Sequence, residues 1–271
     1  MSKDIAELFE VAKAAAAAGA MVHRAALDSG NVHATTKSSV NDLVTEVDRE
    51  SEQQIVAAIR KARPHDSIVG EEGTNVSGST GVCWVLDPLD GTTNFVHRYP
   101  AHSVAVGVEI DDRRAIGVVH DTFHSRVYAG VVGRRATCDG KTIAVRNESN
   151  LRDALTGTGF LPDANVRRAQ ADLLREILPR VRDVRRSGCP SLDICGVASG
   201  VLDAFYECGL GRWDIAAAAA IAEAAGATVL LLHSVVFPNP FLVVANATLA
   251  STLASLLEET GVVERSATNY T

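Results

Sequence analysis

The stretch between residues 102 and 132 limits the fold more than any other part of the chain. "HSVAVGVEI" (102–110), "RAIGVVHD" (114–121) and "RVYAGVV" (126–132) are valine-rich and joined by a few charged or polar residues. β-Branched side chains suit a pleated, half-buried surface, so these runs read as strands. "CDGK" at 138–141 extends the pattern, because Asp-Gly is a strong hairpin signal. The centre of the chain is therefore β-rich, and the segments around it must be read against that.

The start is helical. Ile5, Leu8, Ala12 and Ala15 recur at helical spacing, so a first helix is expected from about Asp4 to Leu27, capped by Ser2. A second follows Thr45, with Val47, Ile55, Ala58 and Ile59 on its buried side and Pro64 beyond its end. Short strands are expected at "SIVG" (67–70) and "CWVLD" (83–87). After about Leu151 the pattern is mixed: a strand near 154–159, then an amphipathic helix through "VRRAQADLLREILP". Pro190 opens a helix (191–200), "LDAFYE" (202–207) is a strand, and another helix begins near Asp214. Strands at 227–232 and 241–245 precede a helix from Ala247, capped by Asn246. No repeat or linker interrupts this order. For 271 residues it implies two fused lobes, 1–145 and 146–271.

With 46% apolar and 22% charged residues the chain can bury a sizeable core. A formal charge of −7 and no basic block argue against nucleic-acid binding, which needs clustered Lys and Arg. No stretch approaches the roughly 20 apolar residues of a membrane span. The five cysteines form no Cys-x-x-Cys pair and read as small buried residues in a reducing compartment. Asp4, Glu7 and Glu10 stand where a signal peptide needs an uncharged core, so a cytoplasmic location is expected.

Chemistry concentrates in the acids at element ends. In "WVLDPLDGTTNF" a strand runs into Asp87 and Asp90, two like charges separated by a proline and a leucine. Pro88 stiffens this turn, so both carboxylates and the Leu89 carbonyl converge on one hard cation; oxygen-only ligands suit Mg²⁺ or Ca²⁺ and not zinc. Gly91-Thr92-Thr93 follows, where backbone N–H groups at a helix start can hold phosphate oxygens. "GEEG" places Glu71 and Glu72 after a strand, "GRWDIAAAAA" places Asp214 at a helix start, and "DLVTEVD" places Asp42 and Asp48 around another. Taken alone, Asp214 is more often a helix cap, and Glu71 and Glu72 are most often solvated loop charges. Metal-binding acids beside a phosphate cradle point to metal-assisted phosphoester hydrolysis, in which cations neutralise the phosphate and activate water. His120 and His124 flank Asp121 but lack the helical spacing of a zinc motif.

"GEEG", "WVLDPLDGTTNFVHRYP" and "WDIAAA" resemble, in order and separation, the three signature segments of the inositol monophosphatase family, and "KSSVNDLVTEVD" (37–48) its N-terminal motif. The resemblance covers nearly the whole chain. It implies an α+β fold, a layered αβαβα sandwich of the inositol monophosphatase and fructose-1,6-bisphosphatase type. It also implies two or three Mg²⁺ per subunit, lithium sensitivity and a homodimer. On this resemblance Glu71, Asp87, the Leu89 carbonyl, Asp90 and Asp214 are metal ligands, and Asp48 supports them or a third metal. Gly91 and Thr92 hold the phosphate; the Thr92 hydroxyl, with Glu71, orients the nucleophilic water. Asp90 and Asp214 also border the substrate. Glu207 meets sugar-like hydroxyls, Gly188, Cys189 and Pro190 line the pocket, and Arg185 contacts substrate or a partner subunit. Two places depart from the family pattern: Cys189-Pro190 replaces small residues such as Thr-Ala, and "ATVLLLHSVVFPNPFLVVAN" is a shortened hairpin without an acidic turn.

The function implied is a Mg²⁺-dependent phosphomonoesterase acting on inositol monophosphate. Histidinol phosphatase, fructose-1,6-bisphosphatase and phosphatases of 3′-phosphorylated adenine nucleotides share such a site; Thr93-Asn94-Phe95 leans away from the last two. A binding role in a transcription complex, known for some bacterial members, is the alternative of a different class.

Overall fold

Five layers, alternately helical and β, stack in the computed structural model, which describes residues 3–29, 34–36, 43–237 and 241–268. The first layer is α1 (Ile5–Ser29) against α2 (Glu46–Ala62). Asp4 caps α1, its Oδ1 accepting from Ala6 N at 2.9 Å. Ser2, expected in that role, lies outside the described residues, as does Asp42. A short antiparallel ladder, β1 (Ala34–Thr36) and β2 (Leu43–Thr45), lies between the helices in sequence.

The second layer is an eight-stranded sheet. In chain order its strands are β3 (Ser67–Gly70), β4 (Asn75–Val76), β5 (Val82–Asp90), β6 (Ser103–Ile110), β7 (Arg113–Asp121), β8 (Arg126–Val131), β9 (Ala136–Cys138) and β10 (Lys141–Ile143). They lie in the order β10-β9-β8-β7-β6-β5-β3-β4. Leu8, Ile55 and Ile59 from the helices meet Trp84, Val106 and Ile116 from the sheet, all fully buried. Each such side chain contributes about 1.5–3 kcal/mol by leaving water.

Two details of this sheet place chemistry. β3 and β5 run parallel with Gly70 beside Leu86, so both strands end on the same edge. Glu71 N donates to Leu86 O at 3.2 Å, which sets Glu71 beside the start of the Asp87 turn. β5 continues beyond the expected end at Asp87 to Asp90, with its register on β6 slipping between those two aspartates. Pro88 has no N–H for the ladder, so the extra residue sits in a bulge.

α3 (Thr92–Val96) leaves that bulge through Gly91, whose φ of 86° is left-handed. A Cβ there would lie 2.8 Å from Ala101 O, so the position suits glycine on two counts.

The later half supplies the other three layers. It contains β11 (Leu155–Thr158), α4 (Ala164–Ile177), β12 (Asp183–Arg185), α5 (Pro190–Ala198), β13 (Ala204–Cys208), α6 (Arg212–Ala224), β14 (Thr228–Ser234), β15 (Phe241–Ala245), α7 (Ala247–Glu259) and β16 (Val263–Thr268). α5 and α6 form the middle layer, between the first sheet and a six-stranded one ordered β12-β11-β13-β15-β14-β16. α4 and α7 cover the outer face through Leu173, Ile177, Leu249 and Leu253. β12 and β16 were not expected from the sequence; "DVR" and "VERSAT" lack apolar runs and pair at the sheet's two margins.

α6 explains the five alanines at 216–220. It lies in a groove of Gly107, Gly117 and Gly130, which stand side by side on β6, β7 and β8. A Cβ on Gly117 would fall 1.9 Å from Ala217 O. Small residues on both surfaces bring the helix against the sheet, and Asp214 in its first turn comes with it. Among the described residues no helix is long and apolar enough to cross a membrane.

Candidate active site

The ends of β3 and β5, the start of α6 and the start of α5 meet around Asp87. Its side chain is buried, with Oδ1 accepting from Leu89 N at 3.0 Å and Oδ2 holding no hydrogen-bond partner. Burial, then Glu71, Asp90 and Asp214, push its carboxyl well above the usual carboxylate range. Four acids separated by up to 143 positions therefore act on one another, though among the described residues no three stand close enough to form a closed metal site. A buried carboxylate oxygen without a donor, under the charge of three other carboxylates, fits a hard cation.

Asp90 is held from the other half of the chain. Its Oδ2 accepts from Ser191 N at 2.7 Å and from Cys189 Sγ at 3.0 Å. Burial pushes its carboxyl up to about 6, against the pull of those donors. Cys189 is fully buried and donates to Asp90; behind it Ser103 Oγ and Ser191 Oγ pair at 2.7 Å. Its neighbour Gly188 has a φ of 85°.

Asp214 reconciles the two sequence readings. Its Oδ2 accepts from Gly211 N at 2.6 Å, so it caps α6, and its charge still reaches Asp87 and Glu207. Thr92 Oγ1 lies 3.0 Å from Asp48 Oδ1 and 3.1 Å from Leu89 O, which ties the α2 start to the bulge. The Leu89 side chain is buried against Val47 and Phe95.

Glu207, near the end of β13, is buried against Gly159. Desolvation, Asp214, Asp193 and Asp90 raise its carboxyl well above the usual range, while Arg186 opposes them. Asp193 on α5 is likewise pushed up to about 7, chiefly by burial. The structure does not bring Arg185 into this group: it is exposed and paired with Asp183 at 2.6 Å. Arg186, the next residue, is the cation whose charge reaches both Glu207 and Asp193. Asp121 pairs with His124 and Arg126 at 2.9 and 3.0 Å.

Several supporting residues carry little signal in the sequence. Buried Glu52 on α2 accepts from Glu72 N, Thr74 N and Thr74 Oγ1 at 2.6–3.0 Å and so fixes the "GEEG" turn. Asn94 donates to Ala101 O and Ser187 O at 2.7 and 2.9 Å, joining α3 to the Gly188 loop. Only the short spacing from Cys189 marked Ser191, and nothing marked Glu52.

Fold and site together define a class, a layered α+β protein whose acids stand at separate strand and helix ends and act on one another. The description "inositol monophosphatase family" matches residues 4–262. "Inositol-1-monophosphatase SuhB" of Mycobacterium tuberculosis is 42% identical over 219 residues, 78% of this chain and 75% of that protein. "Nus factor SuhB" of Pseudomonas aeruginosa is 38% identical, covering 80% and 82%. The crystal structure of extragenic suppressor protein suhB from Bartonella henselae superposes with a TM-score of 0.84 at 27% identity, covering 93% and 98%. The chain belongs to the inositol monophosphatase family and is a phosphoric monoester hydrolase.

Proposed function

We propose that the protein is a Mg²⁺-dependent phosphomonoesterase whose substrate is inositol monophosphate. The observation that carries this reading is Asp87 Oδ2, buried without a partner among Glu71, Asp90 and Asp214. In this proposal Glu71, Asp87, Asp90, Asp214 and the Leu89 carbonyl hold the metal, with Asp48 supporting them through Thr92. Bound Mg²⁺ supplies positive charge to the phosphate and lowers the pKa of water. The residues do the rest by position. Gly91 and Thr92 present backbone N–H groups to the phosphate, since the left-handed turn at Gly91 starts α3 there. The Thr92 hydroxyl and Glu71 orient the attacking water. Glu207 meets the polyol hydroxyls, and Gly188 and Cys189 shape that side of the pocket while Cys189 steadies Asp90.

A net negative chain handles an anionic ester here because the bound cation reverses the local sign. Lithium sensitivity, a homodimer and a cytoplasmic location belong to the same proposal, and so do lobes dividing near residue 145. The test is phosphate release from inositol 1-phosphate, histidinol phosphate, fructose 1,6-bisphosphate and adenosine 3′,5′-bisphosphate, with EDTA and then with added Mg²⁺ or Zn²⁺. Activity on inositol 1-phosphate, lost in EDTA and restored by Mg²⁺ but not Zn²⁺, is expected. Full activity in metal-free buffer overturns the mechanism, and a preference for another ester overturns the substrate. The name of the Pseudomonas relative supports a second reading, a protein partner in a transcription complex. Recovery of polymerase components by a catalytically silent protein favours it.

A further inference from the structure

Behind the Asp87–Asp90 bulge lies a buried polar chain that no step above uses. His23, fully buried in α1, has Nε2 2.9 Å from Pro88 O and Nδ1 3.2 Å from Thr122 Oγ1. A carbonyl only accepts, so Nε2 carries the proton. Burial lowers the His23 pKa to about 3, so the ring is neutral and Nδ1 is an acceptor. Thr122 has one hydroxyl proton to give. Its other candidate acceptors are His102 O at 3.2 Å, which also receives Thr122 N–H, and His102 Nδ1 at 2.6 Å. A proton sent to either leaves His23 Nδ1 without this donor, and one sent to His102 Nδ1 also places the His102 proton on buried, unpartnered Nε2.

The hydroxyl proton therefore goes to His23, and the 2.6 Å contact between Thr122 Oγ1 and His102 Nδ1 has to be donated by His102. That leaves His102 Nε2 as a bare lone pair. It is indeed a buried nitrogen with no partner, and an unpaired acceptor is the milder deficit. The proton order is thus fully assigned: His102 Nδ1–H to Thr122 Oγ1, Thr122 O–H to His23 Nδ1, His23 Nε2–H to Pro88 O.

The same carbonyl receives a second donor, Ser51 Oγ at 2.9 Å. Pro88 C=O and Leu89 N–H belong to one peptide group, and that N–H holds Asp87 Oδ1. We propose that His23, held in its Nε2–H tautomer by Pro88 O on one side and the Thr122 hydroxyl on the other, is a positioning residue that clamps this peptide and so aims Asp87 despite the repulsion of the surrounding acids. The consequence for metal rests on the phosphatase reading; the proton order does not.

The first test is a long-range ¹⁵N–¹H spectrum of the histidines in metal-free protein. A fixed Nε2–H pattern for His23 and Nδ1–H for His102 is expected, and the opposite or exchanging tautomers overturn the proposal. The second is Mn²⁺ binding followed by electron paramagnetic resonance. His23→Leu, which keeps bulk and loses the donor, is expected to weaken Mn²⁺ about ten-fold. His23→Gln, whose amide nitrogen replaces Nε2, is expected to recover most of it; equal affinity of the two variants overturns the clamp. Should His23→Leu fail to fold, Thr122→Val carries the test: His102 loses the partner of its Nδ1–H and with it the fixed tautomer, while His23 keeps Nε2–H on Pro88 O; an unchanged His102 signal overturns the relay. A protein inactive on every phosphate ester that still shows these tautomers and this Mn²⁺ difference would sink the phosphatase reading and leave the clamp standing.

Discussion

Burial and three neighbouring acids disfavour the ionised form of Asp87, so in metal-free protein that form is destabilising. Asp87→Asn is expected to lower turnover by at least ~100-fold, the scale of losing a group that holds the catalytic charge. In EDTA the same variant should melt higher, by about 2 °C for each kcal/mol of repulsion removed. Unchanged turnover, or a lower melting temperature in EDTA, contradicts this. His23 gives a prediction of the opposite kind. Its pKa falls from 6.5 unfolded to about 3 folded, so between those values the unfolded chain binds the extra proton. Its contribution is complete above pH 6.5 and is lost as pH falls toward 3. The stability gap between wild type and His23→Gln, measured in urea, should therefore shrink by about 1–2 kcal/mol from pH 7 to pH 5. A constant gap refutes neutral burial. At this scale the acids of the Asp-Pro-Leu-Asp turn were legible because two like charges around a proline serve no strand. Glu52 was not, since an acid on an amphipathic helix is ordinarily a solvated one, and only the fold turns it toward Thr74.

Among elements, α6 ties packing to chemistry. The alanine run behind Asp214 is legible as a tightly packed helix, but its seat is not. Gly107, Gly117 and Gly130 are 10 and 13 residues apart and become one groove only when β6, β7 and β8 pair in register. Gly117→Ala should push α6 off the sheet, cost about 1–3 kcal/mol or more by overpacking, and lower activity through the displaced Asp214. Calorimetry with a turnover assay checks both. A variant that melts as wild type and works normally shows that α6 has room to spare. The end of β5 teaches a related point: apolar content predicted a strand closing at Asp87, whereas pairing with β6 carries it through the bulge to Asp90. Backbone pairing decides such ends, and composition does not report it.

For the molecule as a whole, layers are the packing units. The core around α5 and α6 takes Ala105, Val119 and Tyr128 from the first half and Ile194, Phe205 and Ile221 from the second. Residues 1–145 expressed alone should therefore lack a cooperative unfolding transition, having one face of their sheet uncovered. Mixing with residues 146–271 should restore it; a sharp transition from the first fragment by itself shows two independent domains. The sequence alone determined the kinds of element, the acids at their ends and the family, because periodicity and short motifs are local properties of a chain. Tertiary structure alone decided that Asp90 is held by Ser191 and Cys189, that the charge of Arg186 reaches Glu207 while Arg185 pairs with Asp183, and that His23 reaches Pro88. Those pairings join residues 65 to 101 positions apart or turn on which way one strand end faces. Distance and direction of that kind exist only once the layers have stacked.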